Sequence, residues 1–74
     1  MQNRVKIARI QAGLTQQQLA DKIGVTRQTI SLIEKASYNP TLKLCLDICH
    51  ALHKTLDEVF WVEKENNEYE ENYR

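Results

Sequence analysis

The sequence predicts an all-α domain of five short helices, and three observations carry that prediction. Apolar residues recur at three- and four-residue spacing through most of the first sixty positions. Thr15, Thr26, Thr41 and Thr55 each stand just ahead of such a stretch, where a hydroxyl can accept from the free amides of a helix start. Gly13 and Gly24 stand where two of the stretches stop, and glycine tolerates the left-handed conformation that closes many helices.

The first helix is predicted within residues 3–12, with Asn3 as its cap. Val5, Ala8 and Ala12 form one stripe, Ile7 and Ile10 a neighbouring one, and Gly13 ends it. Thr15 and Gln18 have the spacing of a capping box, so a second helix runs from Gln16 to about Ile23, burying Leu19, Ala20 and Ile23. Gly24 closes it, Val25 drops into the core, and Thr26 opens a third helix, about Arg27 to Lys35, with Ile30 and Ile33 inward. Ser, Asn and Pro in residues 36–40 make a loop. Thr41 opens a fourth helix that packs through Leu42, Cys45, Ile48, Cys49 and Leu52. Thr55 and Glu58 repeat the capping box for a short fifth helix ending near Phe60, with Asp57 and Glu58 in the first turn, where the helix dipole favours acids. Trp61 and Val62 are strand-prone and are expected to pair near the N-terminus. From Glu63 the segment is acidic and polar, so the chain divides into a domain at 1–62 and a flexible tail at 63–74.

A chain of 74 residues allows one compact domain. A domain this small buries roughly 60% of its unfolded surface and gains from self-association. The longest apolar run is four residues, Val59 to Val62, which gives neither a membrane span nor a signal-peptide core and points to the cytoplasm. Net charge is zero but unevenly placed. Residues 1–44 hold seven Lys/Arg against Asp21 and Glu34, a balance of +5, and residues 45–74 hold three against eight acids, a balance of −5. A basic part facing nucleic acid and an acidic tail fit that split. Cys45 and Cys49, four apart on one helix, diverge too far for an unstrained disulfide and read as small buried apolar groups. With His50 and His53 they do not match a zinc spacing, and no cofactor is expected. No nucleophile–base–orienter set or phosphate-binding glycine loop is present, so an enzyme is the least supported class.

The unit from residue 15 to residue 35 is specified by size and polarity at seven positions. Two helices meeting steeply need a small residue at the crossing (Ala20), a residue tolerant of positive φ at the turn (Gly24) and an apolar plug in the corner (Val25). Two inward residues three apart (Ile30, Ile33), with Leu19 and Ile23, complete the contact. That is the pattern of a helix-turn-helix. The segment TQQQLADKIGVTRQTISLIEK, preceded by RVKIARIQAGL and followed by SYNPTLKLCLDICHALHKTLDEVF, resembles the Cro/repressor-type (Xre-like) helix-turn-helix family over about residues 3–61. It most resembles the short, stand-alone bacterial and phage regulators.

The resemblance implies a lambda-repressor-like five-helix fold, homodimerisation and sequence-specific binding of double-stranded DNA that represses or modulates transcription. Arg27, Gln28 and Ser31 match the base-contacting face of the recognition helix, and Thr26, counted with them as base-contacting, matches a cap position that often touches the backbone. Gln16 matches a glutamine that bonds a phosphate and helps seat the next helix, and Tyr38 and Asn39 match a loop that approaches phosphates. Arg9 and Glu34 match an internal salt bridge between the first and third helices, which takes Arg9 off the DNA list. Leu32 stands where relatives carry a polar residue, and packing on the loop is favoured over touching a thymine methyl. Chemistry gives the same face a use of its own. Arg27 can make a bidentate contact to guanine and Gln28 to adenine, while Lys35 and Lys43, with Gln16 and Asn39, line the backbone. The expected dimer surface is C-terminal, at Leu56, Val59, Phe60, Trp61 and Val62, with Trp61 the strongest candidate and Leu56 and Phe60 leaning to the core. Alternatives are an antitoxin or a restriction–modification controller of the same fold, with the acidic tail contacting a protein partner, or an interaction module that does not read DNA.

Overall fold

The computed structural model describes residues 2–61. Five helices follow one another: α1 (Val5–Gln11), α2 (Gln16–Ile23), α3 (Arg27–Glu34), α4 (Leu42–Leu52) and α5 (Leu56–Val59). The all-α expectation holds, and each helix lies within two residues of its expected place.

The starts are set by side-chain oxygens. The Asn3 Oδ1 atom accepts from the Val5 amide at 3.0 Å, and its Nδ2 donates to the Ile33 carbonyl at 2.9 Å, so one residue caps α1 and ties it to the end of α3. The Thr15 hydroxyl accepts from the Gln18 amide at 3.0 Å while the Gln18 side chain accepts from the Thr15 amide at 2.9 Å, a complete capping box. Thr26 and Thr41 accept from the amides of Thr29 and Leu44, each at 3.2 Å. At α5 the Glu58 carboxylate accepts from the Thr55 amide at 2.8 Å, and the Thr55 hydroxyl is shared between Asp57 at 2.5 Å and Glu58 at 3.1 Å.

The stops come from left-handed residues. Gly13 (φ 74°) follows α1, and Gly24 (φ 75°) closes α2 at the corner. His53 (φ 57°) closes α4 without being glycine.

α2 packs on α3 and α4, α1 packs on the same two, and α5 closes against α4. Val5, Ala8, Leu19, Ala20, Ile30, Ile33, Ile48, Cys49, Leu52 and Val59 form the core. Leu14, Ile23, Val25, Leu44, Ala51 and Phe60 pack around it half-buried. The six apolar positions required at the corner are therefore at or against the core, while Gly24 makes the turn at the surface. Burying a side chain such as Ile30 or Ile33 contributes about 1.5–3 kcal/mol.

Three expectations change. Leu42 is 66% exposed instead of packing, because α4 turns its buried face through Leu44, Cys45 and Ile48, and the first residue of the helix overhangs the loop. Val59 is fully buried and so is a core residue, not an interface one. No strand occurs among the described residues. The chain end does join the N-terminus, but through single bonds: the Arg4 amide donates to the Val59 carbonyl at 2.7 Å, and its guanidinium to the Trp61 carbonyl at 3.0 Å. Val62, half of the expected strand, and the tail at 63–74 lie outside the described residues.

Cys45 and Cys49 are free thiols on the buried side of α4. Burial raises both above the ordinary thiol range, and for Cys49 the neighbouring Cys45 and the acids Glu58 and Asp57 add to it. Both stay neutral and unreactive near neutral pH. Among the described residues no helix is long and apolar enough to cross a membrane.

Candidate nucleic-acid interface

α3 is held by its inward face and offers the other. Ile30 and Ile33 are fully buried, while Thr26, Arg27, Gln28 and Lys35 are exposed and Ser31 is half-buried. The first turn of the helix thus points an arginine and a glutamine outward, both with planar, bidentate-capable heads. Leu32, at 38% exposure, lies on the edge of this face. Its carbonyl accepts from the Ser37 amide at 2.9 Å, which stitches the loop to the helix.

The hydroxyl of Thr26 is used locally. It accepts from the Thr29 amide and lies 3.0 Å from the Thr29 hydroxyl. Thr29 went unremarked in the sequence, although its position three after a capping threonine was the available signal. Whichever of the two hydroxyls donates to the other leaves its partner's proton for a ligand.

Around α3 lie the remaining cations and donors. Tyr38 and Asn39 are exposed on the loop after α3. Lys43 is 85% exposed at its side chain and ion-paired with Asp47 one turn on, at 2.9 Å. A surface pair of this kind holds at most a fraction of a kcal/mol, so Lys43 can exchange partners readily.

Beneath the face runs a chain of polar groups that joins three helices. The guanidinium of Arg9 on α1 donates to the Glu34 carboxylate through Nε at 2.7 Å and Nη2 at 3.3 Å, and through Nη1 to the Leu14 carbonyl at 2.8 Å. The side chains of Arg9 and Glu34 are 11% and 4% exposed. Glu34 Oε1 also accepts from Gln16 Nε2 at 3.0 Å. Gln16 Oε1 in turn accepts from Arg27 Nη1 at 3.4 Å. The structure therefore brings together Arg9, Glu34, Gln16 and Arg27, as the internal salt bridge predicted, and adds two links that the sequence did not show.

A helix lying in the major groove, with its N-terminal residues at base edges, is the docking geometry of the helix-turn-helix. The helix-turn-helix family profile matches residues 5–59, from the first residue of α1 to the last of α5. The chain belongs to the helix-turn-helix family. A Bacillus subtilis protein, the uncharacterized HTH-type transcriptional regulator YgzD, is 47% identical over 66 residues, spanning 89% of this chain and 100% of its own length. An uncharacterized HTH-type transcriptional regulator of Methanocaldococcus jannaschii is 43% identical over 60 residues, covering 81% of this chain and 91% of its own. One from Archaeoglobus fulgidus is 37% identical over 65 residues, covering 88% and 92%. The helix-turn-helix resemblance read from residues 3–61 is thus correct.

At the other end of α2, an open groove of about 520 Å³ is lined by Lys22, Ile23, Asp47, His50, Ala51 and His53. Neither a hydroxyl nor a thiol is among those lining groups.

Proposed function

We propose that this protein is a sequence-specific, double-stranded-DNA-binding transcriptional regulator that represses from a palindromic operator as a homodimer. The observation that carries the reading is the exposure of Arg27 and Gln28 on the first turn of a helix whose opposite face is locked into the core. The relatives' names as transcriptional regulators support the same role.

In this reading α3 enters the major groove. Arg27 bonds guanine O6 and N7, Gln28 bonds adenine N6 and N7, and Thr26 and Ser31 hydroxyls meet neighbouring edges. Each bidentate pair discriminates by ~1–3 kcal/mol. Gln16, Lys35, Tyr38, Asn39 and Lys43 hold phosphates on either side and fix the register. One copy reads only a few base pairs, so two copies read half-sites about one helical turn apart. Trp61, at 68% exposure, is the centre of the dimer contact, with the half-buried Phe60 beside it. Val62, the third residue expected there, and the acidic sequence 63–74 lie outside the described residues.

Selection from random oligonucleotides tests this directly. Wild type enriches a short palindrome. The double variant Arg27→Ala/Gln28→Ala keeps its helical circular dichroism and loses base preference. Enrichment of the same palindrome by that variant would remove the reading roles from these two side chains, and no enrichment by wild type would remove the function.

A further inference from the structure

The amide of Gln16 sits between two groups of opposite and fixed hydrogen-bonding character. On one side is the Glu34 carboxylate, which only accepts. On the other is the Arg27 guanidinium, which only donates. A carboxamide matches both at once in one orientation alone, nitrogen toward Glu34 and oxygen toward Arg27. The reverse orientation would face oxygen with oxygen and N–H with N–H. The orientation is enforced from the buried end, because Glu34 is held by two bonds from Arg9 and its side chain is 4% exposed.

From this we infer that Glu34 is a positioning residue for base recognition, acting through Gln16 on Arg27. The inference rests on the proposed reading of DNA by Arg27 and deepens it. Arg27 is exposed and carries a long side chain with many rotamers, and its contact with Gln16 at 3.4 Å is long for a hydrogen bond. An oriented acceptor beside its head narrows those rotamers before DNA arrives, and a partner this loosely bonded is given up easily to a base edge. Arg27 and Glu34 lie seven apart on α3, two turns along one face, so a side chain from α2 can touch both. The second hydrogen of Gln16 Nε2 remains for a phosphate. The same amide then couples backbone contact to base contact.

The test is a double-mutant cycle read in base preference, not in affinity. Binding is measured by fluorescence anisotropy to the selected operator and to copies changed at the base pair that Arg27→Ala makes indifferent. Glu34→Gln removes the acceptor-only group and frees Gln16 to reverse. We expect preference at that base pair to fall about tenfold, within the range one bidentate contact controls. In the Arg27→Ala background Glu34→Gln should leave unchanged the preference that remains at the other base pairs of the operator. Glu34→Gln also weakens a buried ion pair, so Gln16→Met serves as the second variant. It leaves Arg9 and Glu34 paired and removes the bridge together with the Gln16 phosphate contact, which lowers affinity for all sequences alike, and it should give the same loss of preference with the fold intact. Preference unchanged in Gln16→Met, or an equal loss at the other base pairs when Glu34→Gln is added to Arg27→Ala, would overturn the positioning role while leaving DNA reading by Arg27 in place. A wild type without any preferred operator would overturn the functional reading itself.

Discussion

Gly24 shows how one residue sets the angle between the two helices of the motif. Its φ is +75°, and a Cβ added there would meet nothing within 4 Å. The need for glycine is therefore conformational and not a matter of space. Left-handed backbone costs an ordinary L-residue roughly 1–2 kcal/mol, so Gly24→Ala should destabilise by about that much in urea unfolding, without changing the packing of the core. His53 is the converse case. It adopts φ 57° at the end of α4 with an exposed side chain. His53→Gly relieves the strain but loosens the unfolded chain, so the expected net gain is only about 0.5–1 kcal/mol, read as a raised urea midpoint. The sequence showed the first residue plainly, because glycine is the residue for such a turn. It hid the second, since a histidine there announces nothing.

At the scale of the helix, the threonine caps explain why the boundaries were legible. Each is a local bond over three residues, formed by the sequence around it, and losing one costs ~1 kcal/mol. Leu42 was misplaced for the complementary reason. At the first position of a helix, apolar periodicity cannot say which side the core lies on, and only the approach of the other helices decides it. The cap of α5 adds a pH dependence. Hydrogen bonds from Thr55, first its amide and then its hydroxyl, hold the Glu58 carboxyl below the ordinary carboxylate range. A depressed folded pKa means that the stabilisation is present above the unfolded value and is lost as pH falls through the folded one. The Thr55 amide should therefore lose hydrogen-exchange protection in acid, and Glu58→Gln should flatten that dependence. The opposite trend, greater protection as Glu58 protonates, would contradict this account of the cap.

Across the whole molecule, the buried Arg9–Glu34 pair is the junction of α1 and α3, and breaking one side of such a pair costs about 3–5 kcal/mol by stranding the other charge. It also supports the polar chain that ends at Arg27. The exposed charges act differently, through ionic strength. If a dimer neutralises ~4–6 phosphates, log affinity should fall against log salt with a slope of about −4 to −5. Lys35→Ala should make the slope shallower by ~1 for each copy bound to DNA. An unchanged slope would take Lys35 off the phosphate set.

The sequence by itself determined the number of helices, their order, the corner at Gly24 and the outward side of α3. Those are consequences of periodicity and caps, which act over a few residues. Only the tertiary structure decided that Val59 is core while Leu42 overhangs, and that α5 ties to α1 through Arg4 in place of a strand. It alone placed Gln16 between Glu34 and Arg27, residues 18 and 11 positions away. Hydrogen-bond polarity at that distance depends on how three helices are packed, and no local pattern in the chain encodes it.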